Sequence, residues 1–130
     1  MPLFRQLWPD VSFEHENMST LLDKYIMNDN YDMYCFEEEK ILGFITINNR
    51  FAFFYGGNVA LIEDLIVDEK HRKRGVGRKL VEFVEKELER QGIKSIELAS
   101  DFHRDDAHLF WEKLGYTKSA YQYRKTFNKQ

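Results

Sequence analysis

Cysteine, proline and long apolar runs are scarce in this sequence of 130 residues, and each scarcity excludes a class of protein. The single cysteine, Cys35, excludes an internal disulfide and any zinc site built from several cysteines, and it favours a reducing compartment. Only two prolines are present, which excludes collagen-like and long disordered stretches. No apolar run reaches the roughly 18 residues that a membrane span requires, and residues 1–10 lack the features of a signal peptide. We expect a soluble cytoplasmic protein with residues 1–130 as a single domain.

The charge balance and the aromatic content narrow the choice further. The formal net charge of −3 argues against a protein that holds nucleic acid through its overall field. Hydrophobic residues make up 43% of the chain, which is enough for a core without metal or disulfide crosslinks. Aromatic residues reach 15%, with eleven Phe and seven Tyr, and we expect most of them in that core.

The apolar periodicity indicates short strands and three helices. Strands are predicted at 3–8, 31–36, 41–47, 51–55, 59–67 and 94–99, helices at 15–28, 75–91 and 105–114, and one or two closing strands over 116–127. The three strands predicted over 31–55 are typical of an antiparallel meander. The order therefore predicts an α+β fold, in which a mixed sheet carries helices on its faces.

Two carboxylates interrupt the most apolar of these strands. Glu63 and Asp64 stand side by side in the middle of VALIEDLIV, residues 59–67. Burying a carboxylate is costly unless it is paired, solvated by a cleft or used in chemistry. Adjacent strand residues point to opposite faces, so either each carboxylate faces one side of the sheet or a bulge brings both to one opening. Both residues are candidates for catalysis, and the alternative is a buried ion pair that holds the sheet.

A basic loop with two glycines joins this strand to the clearest helix. The first turn of a helix offers unpaired N–H groups and the positive end of the helix dipole. Gly75 and Gly77 would let a ligand approach the backbone closely. The cations around them are Arg72, Lys73, Arg74, Arg78 and Lys79. The pattern predicts a diphosphate site, and its spacing matches neither the P-loop nor the dinucleotide-binding fingerprint.

Three segments carry a family resemblance. RKRGVG, residues 72–77, matches the motif [RQ]-x-x-G-x-[GA]; IEDLIV, residues 62–67, is the strand before it; and AHLFWEKLGY, residues 107–116, is close to A-x-x-[LF]-Y-x-x-x-G-[FY]. Together they resemble the GNAT superfamily of acetyl-CoA-dependent N-acetyltransferases. The resemblance implies a mostly antiparallel central sheet of six to seven strands with helices on both faces. RDDAHLF, residues 104–110, resembles aminoalkylphosphonate N-acetyltransferase-like members, which favours a small amine as acceptor.

The resemblance implies acetyl-CoA as co-substrate and assigns residues to it. The backbone of Leu65, Ile66 and Val67 would pair with the pantetheine arm like an added strand. Trp111 stands where the family places the tyrosine that meets the departing thiolate. Arg72 would lie beside the pyrophosphate. Backbone N–H groups would wrap it, and they belong to Lys73, Arg74, Gly75, Val76, Gly77 and Arg78. The implied partner is a small-molecule amine, with no metal, nucleic acid or membrane, and exposed strand edges leave room for a homodimer.

An amine attacks a thioester only when it is neutral, so a group must accept its proton. Glu63 or Asp64 would do so directly or through water, and a backbone N–H near Ile66 or Val67 would stabilise the oxyanion. An indole N–H can hydrogen-bond a thiolate but cannot give up its proton. Water or a tyrosine would therefore have to protonate the thiolate, and the candidates are Tyr116, Tyr121 and Tyr123.

Trp111 also motivates a second hypothesis, in which the chain is a CoA-binding sensor or interaction module with little turnover. A third hypothesis keeps the acetyltransferase but makes the acceptor a peptide or protein amine. A closed small pocket beside Glu63 would favour the small-molecule reading over the third hypothesis.

Overall fold

Four strands form one sheet in the first of the two units into which the chain divides, residues 1–98 and 99–130. The computed structural model describes residues 30–72 and 74–127. The strands, which lie in chain order across the sheet, are β1 (Tyr31–Glu38), β2 (Lys40–Ala52), β3 (Gly57–Val67) and β4 (Ile96–Leu98). The first two pairings are antiparallel and the last is parallel, which confirms a mixed α+β sheet. The strand predicted at 3–8 and the helix predicted at 15–28 lie outside the described residues.

The sheet has four strands in the described residues, and the expectation of six to seven is wrong there for two reasons. The aromatic run predicted as a separate strand ends β2 instead, and Phe53–Tyr55 forms a single 3-10 turn closed by Gly56 at φ 64°. The closing strands predicted over 116–127 are not formed within the described residues. Residues 117–127 are exposed along their whole length and pair with no strand of the described sheet.

Helix α1 (Val76–Arg90) lies between β3 and β4, and helix α2 (Asp105–Lys113) follows β4; both are close to the predicted bounds. Glycines end both helices as predicted, Gly92 at φ 83° and Gly115 at φ 96°. After α1, the N–H of Ile93 donates to the Leu88 carbonyl and that of Gly92 to the Glu89 carbonyl, which satisfies two helix-end acceptors. In the described part of the chain, no helix is long and apolar enough to cross a membrane.

Helix α1 packs against one face of β2 and β3 through its apolar stripe. The buried residues of the stripe are Val76, Leu80, Val81, Val84 and Leu88. Phe83, which the pattern also places in the stripe, lies at its edge, is 54% exposed and packs edge-on against Tyr34 of β1 at 5.7 Å between ring centroids. Gly43 of β2 lies under the start of α1, where a Cβ would stand 2.9 Å from the Ile66 carbonyl oxygen.

The core of the first unit is aliphatic, contrary to the aromatic core that the composition predicts. Six consecutive residues of β2, 42–47, are buried, so both faces of this strand are covered. Phe44 is the aromatic side chain among the buried hydrophobic residues that the structure describes. Phe53 and Phe54, at the tip of the β2–β3 hairpin, are 95% and 93% exposed.

We expect Gly43→Ala to lower the free energy of unfolding by about 1–3 kcal/mol, the usual cost of overpacking a filled core. The added methyl group would also lie 3.3 Å from Val76 and from Leu80, so helix α1 would have to shift. The measurement is urea unfolding followed by circular dichroism.

Gly57→Ala is the matched control, because its Cβ would meet only the flexible Lys94 side chain, at 3.3 Å. A loss for Gly57→Ala as large as that for Gly43→Ala would contradict this account of the helix packing.

Candidate active site

A β-bulge in the middle of β3 determines where the two carboxylates lie. Thr46 pairs with Asp64 and Ile47 pairs with Ile62, so Glu63 is an extra residue with no partner of its own on β2. The sequence analysis gave such a bulge as one of two possible arrangements of the carboxylates. Cross-strand partners share a face of the sheet, so Asp64 lies on the face of Thr46, opposite the face that α1 covers.

Asp64 is half-buried and tied to β2 by a side-chain hydrogen bond. The Thr46 hydroxyl donates to Asp64 Oδ2 at 2.7 Å, and Thr46 itself is 3% exposed. The sequence analysis did not single out Thr46, because only the pairing register of β2 with β3 brings it to the carboxylates.

Glu63 is exposed at the bulge, and its acid–base behaviour differs from that of a surface glutamate. Partial desolvation raises the pKa of Glu63 above its ordinary value of 4.5, and the neighbouring negative charge of Asp64 raises this pKa further. A carboxylate with a raised pKa is a better proton acceptor near neutral pH than an ordinary one. The two carboxylates therefore have different surroundings although they are adjacent in sequence.

The edge of β3 beyond the bulge carries open backbone groups. Strand β4 pairs only with Ala60–Ile62, so among the described residues no strand covers this edge from Glu63 onward. The Asp68 N–H donates to the Leu42 carbonyl at 2.7 Å. This hydrogen bond determines which residues of β3 direct their backbone groups toward β2. Alternate residues then face β2, so Ile66 faces β2 whereas Leu65 and Val67 direct their backbone groups to the open edge.

The chain leaves β3 through a loop that Asp68 organises. The Asp68 side chain accepts a hydrogen bond from the Lys70 N–H at 3.0 Å and caps a 3-10 turn at Glu69–His71. This backbone hydrogen bond is the main reason that the pKa of Asp68 lies below its ordinary value, and the nearby cation Lys40 adds to the effect. Arg72 Nε then donates to the Val67 carbonyl at 3.1 Å, so one of the predicted basic residues lies at the open edge of β3.

Helix α1 begins without a side-chain cap. Gly75 precedes the first turn in a left-handed conformation, φ 82°, and a Cβ built there would have open space around it. The first helical hydrogen bond runs from the Lys79 N–H to the Gly75 carbonyl, so the N–H groups of Val76, Gly77 and Arg78 have no acceptor within the helix. The first turn also lacks an acidic residue. These features fit an anion such as a diphosphate.

The arginines beside the start of this helix form only weak ion pairs with carboxylates of the protein. Arg74 contacts Glu38 at 3.4 Å and Arg78 contacts Glu82 at 3.2 Å, and all four side chains are about half exposed or more. Exposed pairs of this kind are worth under about 1 kcal/mol, so a more highly charged ligand can displace them. Lys73, which the sequence analysis also placed here, lies outside the described residues.

The two other predicted site residues, Trp111 and Tyr116, belong to the second unit. Their rings pack edge to face at 5.1 Å between centroids. Tyr116 follows Gly115, and its N–H donates to the Trp111 carbonyl at 3.1 Å, so the helix end itself brings the two side chains together. Tyr121 and Tyr123, the other proton donors that the sequence allowed, are 80% and 91% exposed.

Comparisons with known proteins place the chain in a family. The sequence profile of the acetyltransferase (GNAT) family matches residues 1–116. The chain is similar to the aminoalkylphosphonate N-acetyltransferase of Salmonella typhimurium, at 27% identity over 86 residues, 66% of this chain and 56% of that protein. It is also similar to the D-amino-acid N-acetyltransferase of Saccharomyces cerevisiae, at 30% identity over 84 residues, 65% of this chain and 52% of that protein. The chain thus spans about half the length of these curated relatives.

Among solved structures, the fold is similar to an aminoglycoside acetyltransferase from an uncultured soil metagenomic sample, crystallised with trehalose. The TM-score is 0.84 and the sequence identity 21%, over 98% of this chain and 85% of that chain. At this level of identity the likeness establishes the fold.

We expect Glu63→Gln to be more stable than the wild type at neutral pH. Because the folded state raises the pKa of Glu63, the folded protein loses stability as the pH rises from the ordinary value of 4.5 through the raised value. The glutamine removes this penalty, so the difference between variant and wild type should vanish below the ordinary pKa. Urea unfolding at neutral and at acidic pH measures the difference in the free energy of unfolding under each condition.

Asp68→Asn is the control with the opposite sign. The lowered pKa of Asp68 contributes stability that is present at neutral pH and is lost as the pH falls through the folded-state pKa. This variant should therefore be less stable than the wild type at neutral pH. Equal shifts of the same sign for both variants would contradict the assignment of these two pKa changes.

Proposed function

We propose that this chain, which belongs to the acetyltransferase (GNAT) family, transfers the acetyl group of acetyl-CoA to the primary amine of a small molecule. The observation that carries the proposal is the order of features along β3 and the segment after it. The carboxylates Glu63 and Asp64 stand at a bulge, the open amides of Leu65 and Val67 follow, and the uncapped start of α1 comes next.

The donor would bind along the open edge of β3 and the start of α1. The Leu65 N–H and C=O can hydrogen-bond the amides of a pantetheine arm, as an added strand would. The N–H groups of Val76, Gly77 and Arg78 can then hold the diphosphate, with Arg74 as a nearby cation. Ile66 directs its amide to β2, so of the two oxyanion donors that the sequence offered, Val67 is the one supported.

The carboxylates would prepare the amine. Acetyl-CoA supplies an activated acetyl group as a thioester. A carboxylate at the bulge accepts the ammonium proton, directly or through water, and leaves a neutral nitrogen with a lone pair for attack on the thioester carbonyl. The new bond is C–N and the bond that breaks is C–S. The thiolate that leaves takes a proton from water, and the nitrogen releases its second proton to solvent as the amide forms.

The acceptor that we propose is a small amine. The two named relatives are acetyltransferases of an aminoalkylphosphonate and of D-amino acids, both small amines that also carry an acidic group. The negative charges of Glu63 and Asp64 would attract the ammonium end of such a molecule. Peptide and protein amines are the competing acceptor class.

We also propose that the aromatic hairpin tip is the surface through which two copies associate. Phe51, Phe53, Phe54 and Tyr55 are exposed, and at roughly 200 Å² for a whole aromatic side chain they present about 600 Å². A standard interface takes about 800 Å² from each partner, so the tip supplies most of one. The tip carries no charge, so two copies can meet face to face without like-charge repulsion.

The test of activity is to mix protein, acetyl-CoA and a panel of amines and to follow the free thiol released. The panel contains aminoalkylphosphonates, D-amino acids, aminosugars, polyamines and a peptide with a free N-terminus. We expect release with at least one small amine above the rate without amine. Release with the peptide alone would favour the competing acceptor class, and no release with any amine despite CoA binding would favour the sensor.

The variant Gly75→Ala tests the proposed acetyl-CoA site, and Gly92→Ala is its control. Both glycines have φ near 82° and open space around a built Cβ, so alanine costs each about 1 kcal/mol of stability. Only Gly75 lies at the start of α1, so only Gly75→Ala should weaken CoA binding in calorimetry. Equal CoA affinity in both variants would contradict a diphosphate site at this helix.

For the homodimer, we expect the wild type to have twice the monomer mass in light scattering and Phe53→Ser/Phe54→Ser to be monomeric. Phe127→Ser is the control, because Phe127 is 71% exposed and lies away from the hairpin in sequence. A monomeric wild type, or a double variant that stays dimeric, would contradict the interface.

A further inference from the structure

The environments of Glu63 and Asp64 differ enough to distinguish their roles. Glu63 is the extra residue of the bulge, with no partner on β2 and an exposed side chain. Asp64 is half-buried, and one of its carboxylate oxygens is already engaged by Thr46. A proton acceptor must reach the amine, whereas a fixed charge need only stay in place.

The hydrogen bond from Thr46 is well suited to hold a carboxylate in place. An ionised carboxylate can only accept, so the Thr46 hydroxyl is the donor. The distance of 2.7 Å is that of a charge-assisted O–H···O bond. Thr46 is buried in the central part of β2, and its branched Cβ restricts the side-chain rotamers, which limits the directions that the hydroxyl can take.

One other pair of charged groups on this face of the sheet is engaged in an ion pair of its own. Arg50 of β2 and Glu97 of β4 form an ion pair at 3.0 Å across β3. Their register places them with Leu61 and Asn48, on the face that also carries Asp64. The charge closest in sequence and register to Glu63 is therefore that of Asp64.

We propose that Thr46 is a positioning residue, whose hydroxyl fixes Asp64 as a stationary anion beside the bulge and leaves Glu63 as the group that takes the amine proton. This inference rests on the proposed acetyl transfer and assigns the two carboxylates different tasks within it. Asp64 attracts the ammonium and keeps Glu63 basic. Glu63 accepts the proton and returns it to solvent after the acetyl group has moved.

The experiment compares the isosteric variant Thr46→Val, which lacks the hydroxyl, with Thr46→Ser, which keeps it. Using the best amine from the panel, we expect Thr46→Val to lower kcat/KM by about tenfold, the order expected for one hydrogen bond to a charged group. Thr46→Ser should restore most of this loss. In an Asp64→Asn background, Thr46→Val should add nothing, because Thr46 acts only through Asp64.

Two further variants separate the carboxylates. Glu63→Gln should lower kcat by about 10²–10⁴, as loss of a general base does, and Asp64→Asn should lower it less. Asp64→Asn should also move the acid limb of the kcat/KM profile to lower pH, because the Asp64 charge raises the pKa of Glu63. Urea unfolding of each variant confirms that the fold is retained.

The outcomes are distinguishable. A wild type that transfers no acetyl group overturns the proposed function and this inference with it. An active wild type whose Thr46→Val variant is as active, or loses the same factor in the Asp64→Asn background, overturns the inference alone. A larger loss for Asp64→Asn than for Glu63→Gln would reverse the two roles and overturn it as well.

Discussion

The single extra residue in β3 is the constraint on which both the core and the site depend. In a regular strand, Asp64 would share the face of Ile62, which lies against helix α1, and a carboxylate would be buried among aliphatic side chains at high cost. The bulge turns Asp64 to the other face, where Thr46 satisfies it. It also changes which backbone groups point outward. Ala60 and Ile62 face β4, whereas after the bulge Leu65 and Val67 face the open edge.

The rest of the first unit contacts this segment at both ends. Gly43 lets α1 lie close to β2 and β3, so the start of the helix is fixed relative to the strand that precedes it. The loop between them is short and internally bonded, through Asp68 to Lys70 and through Arg72 to Val67. A ligand that spans the strand edge and the helix start therefore meets groups that need little reorganisation.

Periodicity and motif spacing were enough to predict β1 to β4, both helices and the glycines that end them, because these features are encoded within a few neighbouring residues. What they could not predict depends on pairing between distant segments. The hydrogen bond between Thr46 and Asp64 depends on the pairing of two strands, and the two residues are 18 positions apart in the sequence. The exposed Phe53 and Phe54 show that hydrophobicity alone does not place a ring in the core. For residues 116–127, closing strands were predicted, but residues 117–127 are exposed and join no described strand.

The brevity of β4 has a consequence for handling the protein. A strand edge with outward N–H and C=O groups is a template for any extended chain, including another β3. Among the described residues no strand pairs with β3 beyond Ile62, so this edge is where we expect two copies of the chain to pair at high concentration. If acetyl-CoA binds along this edge as proposed, a saturating concentration of it would cover the edge. Concentrated stocks should then aggregate less with acetyl-CoA than without it.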